Sequence, residues 1–352
     1  MNMDMVAVTP AENDRPAAAG AWPERPLLEV RDLCLSIDSN HGRVHALNGV
    51  SFSIGPKERV GIVGESGSGK SIMALSVLGL VKNAQTSGEI LFDGRDILKC
   101  KEPELRALRG REIGYVFQDP LSALDPVRTV GDQIAETLRI RGVSKKIARA
   151  RSLDLLKRVG IRDASARMDD YPHEFSGGMR QRVVIAMALV AEPKLLIADE
   201  PTTALDVRVQ AQVLDLLMEI ADERDLAVVL ITHDLAILAG FAERVVVMYA
   251  GRCMEQCDVD ELFYGSINPY TLGLLNSLPR IDQASAETLT TIGGHPPSPT
   301  HLPKGCAFHP RCRFAEDICR EKVPALLTPP NGTHQSACHR SQWLAEQPGM
   351  RR

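Results

Sequence analysis

Three short stretches alternate apolar and polar residues, as half-buried antiparallel strands do: Leu28-Glu29-Val30, Val50–Ile54 and Gly88–Asp93. Between the second and third, Arg59–Val63 is an apolar run that ends at Gly64, the pattern of a strand covered on both faces in a parallel sheet. Runs of the same kind recur at Ile113–Phe117, Leu195–Ala198, Ala227–Thr232 and Arg244–Met248. Helical periodicity separates them. In Val207–Ala221 the residues Val209, Val213, Leu216, Leu217 and Ile220 recur at helical spacing and share one face. Strands alternating with helices predict a doubly wound α/β core.

The stretch from Leu121 to about Tyr171 lacks strand signals and is rich in Leu, Arg and Lys, so a helical subdomain is expected over about residues 120–175. Its basic residues Arg139, Arg141, Lys145, Lys146, Arg149 and Arg151 are read as a solvated helix face rather than a lipid-binding one. After Gly265, Pro269, Pro279, Pro296, Pro297, Pro299 and Pro303 break up any long element. The organisation expected is therefore a main domain over 27–265 and an appendage over 266–352. Residues 1–26 carry four prolines and scattered acids, with no continuous apolar segment after a basic start. They are expected to be a disordered tail and not a secretory signal.

Composition narrows the picture. A length of 352 residues suits two domains or one large domain with an appendage, and 44% apolar with 24% charged residues excludes wholesale disorder. The 41 basic and 45 acidic residues leave a net charge of −4, so composition gives no support for a nucleic-acid partner. The longest apolar stretches, Ile72–Val81 and Val183–Ala191, run for about ten residues against roughly 18 for a membrane span. The chain is expected not to cross a membrane by itself. In a reducing compartment the eight cysteines are not expected to form a disulfide framework.

The chemistry starts at Gly64-Glu65-Ser66-Gly67-Ser68-Gly69-Lys70-Ser71, which fits G-x-x-x-x-G-K-[ST] between a strand and a helix. Glycines let the loop wrap phosphates with backbone N–H groups. Lys70 is placed to reach the β- and γ-phosphates of a nucleotide, and Ser71 to hold Mg²⁺. Leu195-Leu196-Ile197-Ala198-Asp199-Glu200 is an apolar strand ending in two carboxylates. Asp199 suits Mg²⁺ and Glu200 suits polarising an attacking water. Ser176-Gly177-Gly178, opening the apolar helix Met179–Ala191, reads in isolation as a plain Ser N-cap with glycines in the turn. It also leaves a second helix start whose N–H groups can take an anion. A dimer in which Ser176–Gly178 of one chain caps the nucleotide of the other would use both starts.

Gly64–Ser71, Gln118, Ser176–Gln181, Asp199-Glu200, Ala204-Leu205-Asp206 and His233 together resemble, in order and spacing, the motif set of ABC-type ATPases over about Leu27–Tyr264. That resemblance implies a P-loop NTPase fold with an antiparallel β subdomain and a helical subdomain. It also implies that Gln118 links the nucleotide site to a transmembrane partner, that Asp206 contacts the opposite subunit, and that His233 holds the γ-phosphate and the attacking water. The family often stacks an aromatic ring on adenine some thirty residues before the lysine. Here His41 is the only planar side chain in that stretch.

The appendage resembles the C-terminal extension of oligopeptide/dipeptide importer ATPases through Asn268-Pro-Tyr-Thr271, Leu274–Pro279 and Gly305–Cys312. The resemblance implies a prokaryotic ATPase at the cytoplasmic face of the inner membrane. It would pair with a homologous second ATPase subunit, beneath two permeases fed by an extracytoplasmic substrate-binding protein. Peptides are the expected cargo, with nickel, glutathione, opines or sugars as alternatives of the same class. The rival class, a soluble ABC ATPase of DNA repair or translation, usually has long coiled coils or two fused cores. Cys306, Cys312, Cys319 and Cys338 are separated by 5, 6 and 18 residues. They suit structural Zn²⁺, an iron–sulfur cluster, or four reduced buried thiols. The resemblance favours a [4Fe–4S] cluster. Cys34, Cys100, Cys253 and Cys257 are read as small packed hydrophobes, and His301, His309, His334 and His339 as surface residues.

Overall fold

The computed structural model describes residues 25–39, 42–203, 205–278, 291–328 and 333–347. His41, Ala204, Pro279 and residues 1–24 of the expected tail lie outside the described residues. In chain order the strands are β1 (Leu28–Ser39), β2 (Gly42–Ile54), β3 (Arg59–Val63), β4 (Ala84–Phe92), β5 (Arg95–Asp96), β6 (Ile113–Val116), β7 (Leu195–Asp199), β8 (Ala227–Thr232), β9 (Arg244–Tyr249), β10 (Arg252–Asp258) and β11 (Gln335–Ser336). They form an antiparallel sheet of order β2-β1-β4-β5 and a second sheet of order β11-β10-β9-β3-β8-β7-β6. The run β9-β3-β8-β7-β6 is parallel, while β10 and β11 add antiparallel edges.

The uninterrupted apolar runs of the parallel strands follow from their burial on both faces. Leu195, Ile197, Val229, Ile231, Val246 and Met248 enter a core shared with the antiparallel sheet and the helix Lys70–Val77. Their neighbours Leu196, Ala198, Val228, Leu230, Val245 and Val247 belong to a second core, packed with the helices Gly177–Leu189, Val207–Arg224 and Leu235–Phe241. Burying one such side chain contributes about 1.5–3 kcal/mol. With one residue in each core alternately, a slip by one position would exchange two differently shaped surfaces.

Strand β1 runs well past its predicted end. Its pairing with β2 shifts register between Val30 and Leu33, at a bulge where Asp32 takes φ 45°. The bulge breaks the period of two, which is why only Leu28-Glu29-Val30 reads as a strand in sequence. Between β6 and the helix Gly177–Leu189 lie the helices Pro120–Ala123, Val130–Arg139, Lys145–Arg158 and Ala164–Arg167. Asp119, Thr129 and Ser144 cap the first three. Ala148, Ser152, Leu155 and Leu156 form the buried stripe of Lys145–Arg158. Lys145, Lys146 and Arg151 stay exposed, and Arg149 pairs with Asp169 at 2.8 Å.

Beyond Gly265 the expected appendage returns to the main domain. Its strand β11 pairs with β10 and extends the central sheet. Beside that pairing, the fully buried Glu255 accepts from Ser266 Oγ at 2.9 Å and from the Ile267 N–H at 2.7 Å, and His334 Nε2 lies 2.7 Å from its Oε1. His334 is therefore buried and is not the surface residue expected. A carboxylate this deep requires donors around it, and the imidazole is one of them.

Candidate active site

Strand β3 delivers the chain to Gly64, and the loop through Gly69 leads into the helix Lys70–Val77. A Cβ on Gly64 would stand 2.1 Å from the carbonyl oxygen of Met248 on β9, so a side chain there is sterically excluded. Gly69 opens the helix at φ 101°, a left-handed conformation that favours glycine. Lys70 is 5% exposed, and its Nζ donates to the carbonyls of Gly64 at 2.7 Å and Glu65 at 3.1 Å. Burial lowers the pKa of this ammonium, opposed by the charges of Glu200, Asp199 and Glu65.

Asp199 closes β7, and both of its carboxylate oxygens are engaged. Ser71 Oγ donates to Oδ1 at 3.1 Å, and Tyr115 Oη on β6 donates to Oδ2 at 2.8 Å. Burial pushes the Asp199 carboxyl up, while these two donors pull it down. The hydroxyl and carboxylate oxygens are hard donors of the kind Mg²⁺ takes. The next residue, Glu200, sits at φ 47°, and its N–H donates to the Ile231 carbonyl of β8 at 2.9 Å. Its Oε2 accepts from Gln118 Nε2 at 2.9 Å and from Thr203 Oγ1 at 3.0 Å, and His233 Nδ1 lies 3.3 Å away. The C-terminal ends of β6, β7 and β8 thus bring Gln118, Glu200 and His233 to one oxygen. Tyr115 and Thr203 were not among the predicted site residues. A lone hydroxyl-bearing ring in the apolar run Ile113–Val116 was the available signal for Tyr115.

Ser176 caps the helix Gly177–Leu189 by accepting from the Met179 N–H at 3.4 Å, and its hydrogen bonds stay within that first turn. Ser176 and Gly177 are exposed, while Gly178 packs so closely on the helix Val207–Arg224 that a Cβ would meet Val209 Cγ1 at 2.6 Å. Asp206 caps that same helix, accepting from the Val209 N–H at 2.9 Å. The helix start at Ser176–Gly178 and Asp206 are therefore neighbours in one chain, joined through Val209.

The appendage also reaches the phosphate loop. Tyr270 Oη accepts from the Glu65 N–H at 2.9 Å, and Arg311 Nη1 donates to both Glu65 carboxylate oxygens at 3.0 and 2.9 Å. Cys306, Cys312, Cys319 and Cys338 line one recess together with Phe308 and Phe314. Burial raises the Cys306 thiol and pushes Cys312 up to about 11 and Cys338 up to about 12. Among the described residues, no three His, Cys, Asp or Glu side chains are grouped as a single metal ion requires. His309 Nδ1 and His339 Nε2 are engaged instead with the backbone carbonyls of Cys306 and Lys322.

Residues 47–203 match the ABC transporter family, and residues 254–319 match the oligopeptide/dipeptide transporter C-terminal region. A solved dimeric ATP-binding cassette in a post-hydrolysis state, bound to ADP and Pi, superposes with a TM-score of 0.60 and 30% identity over 66% of this chain and 98% of that one. Fold and site together define an ABC-type ATPase. More narrowly, the chain belongs to the family of oligopeptide transport ATP-binding proteins. It is 50% identical over 310 residues to the oligopeptide transport ATP-binding protein OppD of Salmonella typhimurium, covering 88% of this chain and 92% of that protein. To the protein of the same name from Escherichia coli it is 50% identical over 300 residues, 85% of this chain and 89% of that one. Among the described residues no helix is long and apolar enough to cross a membrane.

Proposed function

We propose that this chain is the ATP-hydrolysing subunit of an importer of di- and oligopeptides, attached to the cytoplasmic face of a prokaryotic inner membrane. The observation that carries the reading is the meeting of Gln118, Thr203 and His233 at Glu200 Oε2, beside the Ser71–Asp199 pair. The peptide cargo is supported by the names of the relatives and by the matching C-terminal region.

In this reading the N–H groups of Gly67–Ser71 and the Lys70 ammonium hold the β- and γ-phosphates of ATP, displacing Lys70 from the carbonyls it now caps. Ser71 Oγ and Asp199 would hold Mg²⁺, which neutralises phosphate charge when bound. Glu200 Oε2 takes a proton from the water that attacks the γ-phosphorus, while the bond to the bridging oxygen breaks and ADP leaves. His233 and Gln118 hold that water and Glu200 in line. Ser176–Gly178 act across a dimer, capping the nucleotide of a homologous partner subunit. Closing and reopening that dimer is the work passed to two permeases, which receive cargo from an extracytoplasmic binding protein.

For the cysteine recess we propose a [4Fe–4S] cluster, which Cys306, Cys312, Cys319 and Cys338 would hold; the zinc alternative lacks three grouped ligands among the described residues. Four thiols spread around one recess suit a four-iron core better than a lone zinc ion with bonds of about 2.3 Å. Such a centre supplies a structural cross-link or a redox-sensitive one.

Purification from detergent-solubilised membranes tests the central reading. Co-purification of two permeases, with ATPase activity that rises when peptide-loaded binding protein is added, is the expected result. A chain recovered without any permease would point to a soluble ABC ATPase instead.

A further inference from the structure

The phosphate loop is gripped by a part of the chain that belongs to neither the β subdomain nor the helical one. Arg311 is the hub. Its side chain is 6% exposed. Its Nε donates to the Gly293 carbonyl at 2.9 Å, Nη2 to the Ile292 carbonyl at 3.3 Å, and Nη1 to both Glu65 oxygens and to Tyr249 Oη at 3.3 Å. The guanidinium also lies across Tyr249 and Phe308, at 5.8 and 5.9 Å from the ring centres. A planar, multiply bonded guanidinium held on every edge has little freedom, so it fixes the carboxylate it meets.

A second contact acts on the backbone of the same residue. Tyr270 is fully buried, and its hydroxyl oxygen accepts from the Glu65 N–H. Asn268, 1% exposed, positions Tyr270 by capping the helix Pro269–Asn276 through Oδ1 and by donating to the Met254 carbonyl and Ser336 Oγ. Both the side chain and the main chain of Glu65 are thus set by the appendage. Glu65 in turn matters to Lys70, whose Nζ is bonded to the Glu65 carbonyl. Arg311 directly precedes Cys312, and Phe308 lines the same recess as the four thiols. Arg311 therefore joins the cysteine-bearing segment to the phosphate loop.

We propose that Arg311 is a positioning residue for the phosphate loop, acting through Glu65, so that ATP binding and the ordering of the cysteine-bearing appendage are energetically coupled. The inference rests on the reading of Gly64–Ser71 as the ATP phosphate site. Coupling of this kind is reciprocal: if the appendage tightens ATP binding, ATP tightens the appendage.

The test uses the full-length chain and N-methylanthraniloyl-ATP with Mg²⁺, followed by fluorescence, with melting temperatures to identify variants that remain folded. Arg311→Ala and Glu65→Gln are each expected to raise Kd by about tenfold or more, the loss of a hydrogen bond to a charged group. The double variant should be no weaker than either single one, and Arg311→Lys should recover part of the affinity. Tyr270→Phe removes only the acceptor oxygen and should weaken binding without emptying the aromatic core. In the parent, nucleotide should slow hydrogen exchange over residues 305–313, and in Arg311→Ala it should not. Parental Kd in folded Arg311→Ala and Tyr270→Phe, or additive effects in the double variant, overturns the proposal. Lys70→Ala is the control for the underlying reading. If it binds nucleotide like the parent, the phosphate-site assignment itself is wrong, whereas loss of binding in Lys70→Ala alongside parental Arg311→Ala refutes the coupling alone.

Discussion

Gln118 Nε2 donates to Glu200 Oε2 across 2.9 Å, joining the loop after β6 to the residue that follows β7. The bond links a site for chemistry to the start of the helical subdomain, since Asp119 caps the next helix and the chain then enters residues 120–167. Displacement of that subdomain would pull Gln118 away from Glu200. In the proposed mechanism, opening and closing of a dimer would thereby have a direct route to Glu200. The exposed Gln118 stands over a Glu200 side chain that is only 15% exposed, so the movable partner is the outer one.

Glu200→Gln should retain Mg-ATP binding, because the amide keeps the shape of the site and Lys70 still holds the phosphates. Hydrolysis should fall by about 10²–10⁴-fold, the usual contribution of a general base. Single-turnover kinetics with radiolabelled ATP separates the two effects. Near-parental turnover would remove Glu200 from the role of base.

Tyr115→Phe tests a residue that the sequence did not single out. The change leaves Asp199 Oδ2 without its donor in a buried setting, so stability should drop by about 1–3 kcal/mol, as for an unsatisfied buried acceptor. The ring packs edge-on to Phe117 with centres 4.7 Å apart, a contact phenylalanine preserves. Urea unfolding checks the prediction, and an unchanged midpoint would mean that the hydroxyl contributes nothing.

What was legible in the sequence was local. The phosphate loop is eight consecutive residues, and the parallel strands announce themselves because two apolar cores require apolar residues at every position. Strand β10 escaped because Glu255 and Gln256 are buried polar residues in its middle, contrary to any apolar pattern. Long-range pairs were equally invisible. Arg311 and Glu65 are 246 positions apart, and nothing about an arginine among prolines foretells a carboxylate that distant. Tyr115 reaches Asp199 only because β6 and β7 lie side by side in parallel, with Tyr115 opposite Ile197. Nothing local marks His334 as buried, because histidine is ordinarily polar and exposed and its buried partner Glu255 belongs to another strand.

Ser176→Arg should separate the nucleotide site of one chain from that of its partner. Ser176 is exposed at a helix start, so a larger side chain is accommodated without disturbing the core. Nucleotide affinity of the isolated chain should stay near parental, since Lys70 and its loop are untouched. ATPase activity of the assembled transporter should fall by at least tenfold, because a bulky cation would occupy the place of the partner's γ-phosphate. Parental activity in the assembled complex would contradict a composite site.

The last prediction concerns the four cysteines. Protein purified without oxygen should be brown and carry about four iron and four sulfide per chain, as Cys₄ ligation implies. Cys312→Ser should bleach it and lower the melting temperature of the appendage, which is otherwise held by short elements such as Asp317–Glu321 and Gln335–Ser336. A second measurement separates a cluster from four unligated thiols. With the centre removed by chelation, Cys312 should titrate at about 11 and Cys338 at about 12, because burial disfavours the thiolate. At pH 8 their thiolate fractions are about 10⁻³ and 10⁻⁴, so iodoacetamide should label them at least about a hundredfold more slowly than an ordinary cysteine. The rates should rise about tenfold per pH unit up to those values. Colourless protein with stoichiometric zinc and no sulfide would replace the cluster by a zinc site. Metal-free protein with the same melting temperature as Cys312→Ser would leave only four packed thiols.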